Sequence, residues 1–192
     1  MKQSKYAVTG GIGSGKTVFC NILREWGYPV YSCDEIYREV LRDGEYLKEL
    51  SLLFPDCFTG GTPDKKALAR RAFSSEENNR ALNALAHPRV MKKLFEQAAE
   101  DEVFFAEVPL LFEGGYESLF DGVIVLEREK SARVFAVTAR DGLTEEEVLA
   151  RMARQADEKT YREKKCVVVK NDGDMISLRL KAEEALRTLG LR

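Results

Sequence analysis

Tyr6-Ala7-Val8-Thr9-Gly10-Gly11-Ile12-Gly13-Ser14-Gly15-Lys16-Thr17 carries a short apolar strand into a glycine-rich turn. The turn, from Gly10 to Thr17, fits the pattern GxxxxGK[ST] of a phosphate-binding loop. Glycine tolerates positive φ and brings no side chain, so the backbone curls and aims its N–H groups at phosphate oxygens. The helix that follows adds the positive end of its dipole. Gly11, Ile12, Gly13, Ser14, Gly15, Lys16 and Thr17 are therefore expected to hold the phosphates of ATP. Lys16 reaches the β- and γ-phosphates, and the Thr17 hydroxyl takes a position on Mg²⁺.

On the C-terminal side, a helix is expected from Lys16 to Trp26, with Val18, Phe19, Ile22, Leu23 and Trp26 at helical spacing and Gly27 closing it. Pro29 to Ser32 reads as the next strand, which completes a βαβ unit. Val103–Val108, Val123–Leu126 and Val167–Val169 are further apolar, β-branched runs suited to strands buried on both faces. The fold class is α/β, with a five-stranded parallel sheet flanked by helices.

The stretch from Asp34 to Glu100 is mostly helical. Leu47, Leu50, Leu53 and Phe54 form one apolar stripe, and Ala81, Leu82, Leu85 and Ala86 form another. Asp56 to Asp64 reads as a loop. The whole segment is too long for a simple crossover, so part of it is expected to hold substrate. Thr144 and Glu147 form a capping-box signature for a helix running to about Glu158. Leu178, Ala182, Ala185, Leu186 and Leu189 give a closing amphipathic helix.

Composition narrows the function. With 30 Lys+Arg against 32 Asp+Glu, the formal net charge is −2, and no basic excess points to nucleic acid. No apolar run is long enough to cross a bilayer. Cys20, Cys33, Cys57 and Cys166 form no CxxC pair, and His87 is the one histidine, so no zinc spacing is available. These features fit a cytoplasmic protein with reduced thiols that act as packing residues. The guanine motif NKxD of GTPases is absent; Asn171-Asp172-Gly173-Asp174 does not supply it. Large remodelling ATPases need more chain. The pattern favours a small-molecule kinase.

Across nearly its whole length the chain resembles the dephospho-CoA kinase family. The strongest pieces are Thr9 to Thr17 and Val108-Pro109-Leu110-Leu111-Phe112-Glu113. Asp34, His87-Pro88, Arg140 to Thr144, Arg151 with Gln155, and Asn171-Asp172-Gly173 support it. The resemblance implies MgATP as phosphoryl donor and the ribose 3′-hydroxyl of dephospho-CoA as acceptor. It implies a core of residues 1–33, 101–140 and 166–192, a helical acceptor region of 34–100, and a lid of 141–165.

Residue by residue, the resemblance makes Asp34 the general base, since a ribose hydroxyl needs somewhere to send its proton. Asp34 follows a strand expected beside the phosphate-loop strand; its other role would be a helix N-cap. Thr9, His87, Pro109, Leu110, Leu111 and Glu113 join Asp34 on the acceptor side. Arg140 and Arg151 become lid arginines that stabilise the transferring phosphoryl group, with Arg140 counted as catalytic. An ion pair with Glu147 is the alternative for Arg151, and Arg154 reads as a solvent residue. Asn171 lines the adenine pocket. Glu107 either acts on the metal through water or faces solvent at a sheet edge. The chain departs from the family at Ser32-Cys33, Arg133, Ala136 and Lys165-Cys166. The rival readings are a kinase with another acceptor, a nucleotide-binding module without catalysis, and a small regulatory NTPase.

Overall fold

The computed structural model describes residues 3–155, Thr160, Tyr161, Lys164 and residues 166–191. The chain divides into two compact units, Met1–Ser32 with Glu100–Arg192, and Cys33–Ala99.

The first unit is built on a parallel sheet of five strands: β1 (Ser4–Thr9), β2 (Val30–Ser32), β5 (Val103–Glu107), β6 (Gly122–Glu127) and β7 (Val167–Lys170), in the order β2-β5-β1-β6-β7. β5 lies between β2 and β1, so β2 is an edge strand and not the direct neighbour of the phosphate-loop strand. The expectation that these two strands would be adjacent is corrected. A βαβ crossover fixes handedness, but it leaves room for a later strand to be inserted. Apolar side chains from β1, β5, β6 and β7 meet α1 (Lys16–Glu25) and α8 (Met175–Thr188) in one core. Phe19, Phe105, Ile124 and Leu186 are fully buried there. Each such side chain contributes about 1.5–3 kcal/mol relative to exposure. Tyr6 stacks on Phe105 with ring centroids 5.4 Å apart.

The sequence explains how these elements begin and end. α1 is flanked by Gly15 at its N-cap and Trp26 at its C-cap, after which Gly27 turns the chain at φ +87°. α6 (Lys130–Asp141) stops at Gly142, whose φ is +66°. α7 (Glu145–Met152) opens on a complete capping box between Thr144 and Glu147. It ends at Met152, earlier than the expected Glu158; Glu158 itself lies outside the described residues, as do parts of 141–165, including Lys165. α8 is capped by Asp174 and buries Leu178, Ala182, Ala185 and Leu186, as its periodicity predicts.

The second unit contains α2 (Cys33–Val40), α3 (Gly44–Leu53), α4 (Lys65–Ser74) and α5 (Glu76–Gln97), and α2, α3 and α4 each pack on α5. Asp43, Asp64 and Ser75 accept hydrogen bonds at the N-termini of α3, α4 and α5. Of the stripe expected here, Leu50 and Phe54 are buried and Leu47 is half-buried, while Leu53 is exposed and Tyr46 is buried in its place. Tyr46 sits under Arg89 and its hydroxyl lies 3.1 Å from that of Tyr37, an anchor outside the leucine period. The loop expected from Asp56 to Asp64 contains a hairpin, β3 (Phe58–Thr59) and β4 (Thr62–Pro63). Gly60 and Gly61 both adopt positive φ there, the mark of a two-residue hairpin turn. Pro88 lies inside α5, where its ring removes one backbone donor. Among the described residues no helix is long and apolar enough to cross a membrane.

Candidate active site

The phosphate loop leaves the end of β1 and enters α1. Gly10 has a φ of +139°, and a Cβ there would fall 2.3 Å from the Leu126 carbonyl oxygen. That oxygen belongs to the backbone of a central strand and cannot yield. The loop is thus seated against β6 at a point that only glycine permits.

Lys16 folds back along the loop, its Nζ donating to the carbonyls of Gly10 at 2.8 Å and Gly11 at 3.2 Å. Ile12 is held at both of its backbone polar groups. Its N–H donates to Gln155 Oε1 at 2.7 Å, and its carbonyl accepts from Arg133 Nε at 2.8 Å. Ser14 is buried, and its Oγ has no hydrogen-bond partner among the described residues. Asn171, just past β7, donates from Nδ2 to the Ser14 carbonyl at 2.9 Å, while its own N–H donates to the Glu127 carbonyl. Asn171 therefore braces the loop.

Thr17 Oγ1 donates to Glu107 Oε1 at 2.9 Å. Glu107 ends β5, opposite Ser32 on one side and Val8 on the other. It is only 8% exposed, which removes the sheet-edge alternative, because β5 is an inner strand. Cys20, one turn further along α1, is fully buried beside Glu107. Burial first, and the Glu107 carboxylate second, push its thiol far above its ordinary range, so Cys20 is a packing residue and not a nucleophile.

A cleft of about 740 Å³ opens over the loop. Gly11, Glu127, Arg133, Met152, Gln155 and Asp172 are among the residues lining it. It lies beyond the C-terminal ends of β1, β6 and β7, where ligands of parallel sheets gather.

The other expected residues are placed as follows. Thr9 is buried at the end of β1. Pro109 and Leu110 are half-buried, Leu111 is fully buried, and Glu113 is exposed, all beyond β5. Arg140 stands in the last turn of α6 and is exposed. Its guanidinium makes a two-pronged pair with Asp141, at 2.7 and 2.8 Å, and does not line the cleft. Arg151 is exposed on α7, with no Glu147 ion pair; the Glu147 carboxylate instead accepts from the Thr144 N–H and hydroxyl. Arg154 is exposed. Asp34 lies two residues beyond the end of β2, exposed in the first turn of α2. α2 begins at Cys33, so Asp34 is inside the helix and is not its N-cap.

His87 is half-buried on α5, and burial holds its pKa below the usual 6.5. The folded state thus binds fewer protons at this site than the unfolded chain. The stability so contributed is complete above about pH 7 and is lost as the pH falls through 6.5. The urea midpoint is expected to drop between pH 7.5 and 5.5, and His87→Gln is expected to flatten that drop.

Two contacts on the loop were not expected from the sequence. Gln155 entered there only beside Arg151 as a piece of the resemblance, and Arg133 only as a departure from the family; neither was assigned to the loop.

The family model for dephospho-CoA kinase matches residues 6–177. A dephospho-CoA kinase of Thermus thermophilus is 40% identical over 184 residues, covering 95% of this chain and 88% of its own. One from Deinococcus radiodurans is 38% identical over 190 residues, covering 96% and 92%. A crystal structure of a Thermus thermophilus protein superposes with a TM-score of 0.88 at 37% identity, covering 98% of each chain.

Proposed function

We propose how this chain, which belongs to the dephospho-CoA kinase family and phosphorylates dephospho-CoA with ATP, carries out that transfer. The observation that carries the reading is the phosphate loop itself, with Lys16 and Thr17 already oriented by their hydrogen bonds. The loop amides and Lys16 bind the β- and γ-phosphates. The acceptor atom is the ribose 3′-oxygen of dephospho-CoA. As its bond to Pγ forms, the bond from Pγ to the bridging oxygen breaks, ADP leaves, and the hydroxyl proton passes to the Asp34 carboxylate. Parallel strands end on one side of their sheet, and the chain leaves β2 towards Asp34 on the side where it leaves β1 into the loop. Arg140 and Arg151 belong to the closing element. Engaging the phosphates requires Arg140 to exchange Asp141 for the nucleotide. Thr9, His87, Pro109, Leu110, Leu111 and Glu113 receive the acceptor, and Asn171 borders the adenine. Residues 34–100 are the acceptor region, 141–165 the lid and the remainder the core. The reaction belongs in the cytoplasm, in keeping with four free cysteines.

The use of ATP implies a divalent cation, and the donor set fits Mg²⁺. The Thr17 proton points to Glu107, which leaves the hydroxyl oxygen's lone pairs for a hard cation. Bound there, Mg²⁺ would neutralise charge on the β- and γ-oxygens. Glu107→Gln keeps an acceptor for Thr17 but removes the charge. The Mg²⁺ concentration for half-maximal activity is expected to rise about tenfold or more in that variant, read from a metal titration of the rate.

The test is an acceptor panel. ADP release from MgATP is followed with dephospho-CoA, gluconate, shikimate and nucleoside monophosphates. Release with dephospho-CoA alone supports the reading. Faster release with another acceptor, or equal release with none, sinks it.

A further inference from the structure

Arg133 is placed where a cation is costly. It stands in the first turn of α6, at the positive end of the helix dipole, and that turn holds no acidic residue. It is half-buried, and burial holds its pKa below the ordinary guanidinium range. Glu127, Glu129 and Asp172 line the same cleft, yet none forms an ion pair with Arg133 among the described residues. Asp172 accepts instead from the Glu129 N–H. Among the described residues, the one hydrogen bond of the Arg133 side chain runs from Nε to the Ile12 carbonyl, and neither terminal nitrogen is hydrogen-bonded. Among the described residues this half-buried guanidinium has no carboxylate partner, and a cation so placed beside a cleft is one that an anionic ligand completes.

The position defines the anion. Lys16 Nζ spans the carbonyls of Gly10 and Gly11, and Arg133 Nε takes the next carbonyl, that of Ile12. Both cations therefore lie on one arm of the loop, and the lysine of that arm reaches the β- and γ-phosphates. Room for Arg133 exists because residue 11 is glycine: a Cβ there would fall 2.0 Å from Arg133 Nη2.

We propose that Arg133 is a further catalytic residue of the phosphate site, using its two terminal nitrogens to bind oxygens of the γ-phosphoryl group. The proposal rests on reading the loop as the ATP site. Because Nε stays anchored to Ile12, the guanidinium is positioned before the acceptor arrives and meets the charge that spreads over the γ-oxygens during transfer. Arg140, at the other end of the same helix α6, begins paired to Asp141 instead.

The experiment compares calorimetric binding of ADP and of β,γ-imido-ATP, with Mg²⁺, to the wild type, Arg133→Met and Arg133→Lys. Thermal unfolding is measured for all three. Arg133→Met is expected to lose about 30-fold in affinity for the triphosphate analogue and less than about threefold for ADP, with kcat down about 100-fold. Arg133→Lys is expected to recover part of the triphosphate preference. Equal losses for both nucleotides would overturn the proposal and leave Arg133 a brace of the loop, and so would unchanged analogue binding in a folded Arg133→Met. If Arg133→Met unfolds, the Arg133→Lys comparison decides by the same criterion. Failure of the wild type to bind ADP would instead overturn the reading of the loop.

Discussion

Lys16→Ala is expected to lower kcat for phosphoryl transfer about a thousandfold, the loss associated with removing a preorganised charge from the phosphoryl group. The ammonium sits on two consecutive carbonyls of the loop, so its position is set by the fold and costs little to reorganise when nucleotide binds. Removing it also exposes those carbonyls to the phosphate oxygens, a repulsion that the wild type never meets. The expected signature is a fall in kcat/KM for ATP larger than any fall in ADP affinity. Steady-state ADP release and ADP binding read the two separately. A variant retaining more than a tenth of the wild-type rate would remove Lys16 from the chemistry.

Asp34→Asn is expected to lower kcat about 10²- to 10⁴-fold with little change in the KM of either substrate, because the amide keeps the shape but cannot take the proton. A competing role is written in the same geometry. Asp34 stands in the first turn of α2, where a carboxylate favours the helix dipole. That role alone predicts a loss of about 0.3–1 kcal/mol in stability and an unchanged rate. Kinetics and urea unfolding of the one variant therefore separate base from helix stabiliser. A full rate with a lowered midpoint would leave the chain without its proposed base.

Both residues were legible in the sequence, for different reasons. Lys16 is fixed by glycine spacing, which acts through backbone geometry that local residues dictate. Asp34 came from resemblance, and the expectation attached to it, a strand beside β1, failed because sheet order depends on where β5 inserts. The strands themselves were equally plain, since Val123–Leu126 and Val167–Val169 are β-branched runs with little helical alternative; but β7 is an edge strand with Val168 exposed, so the expected burial on both faces fails there. The Phe58–Pro63 hairpin was hidden because each strand has only two residues, too few to show a period. The phosphate-loop contacts of Arg133 and Gln155 join residues 121 and 143 positions apart, and nothing local announces such a contact. Glu107 was half legible: a carboxylate inside an apolar run demanded an explanation, but only the central place of β5 and the Thr17 hydroxyl supplied it.

The proposed transfer takes the γ-phosphoryl group of ATP from this loop to the ribose 3′-oxygen of dephospho-CoA. Phosphorus NMR of a reaction with MgATP and dephospho-CoA tests it most directly. One new phosphomonoester on the 3′-oxygen is expected for each ADP formed, and neither product at a comparable rate with Lys16→Ala. Inorganic phosphate accumulating beside unchanged dephospho-CoA, or a monoester at another oxygen, would contradict it.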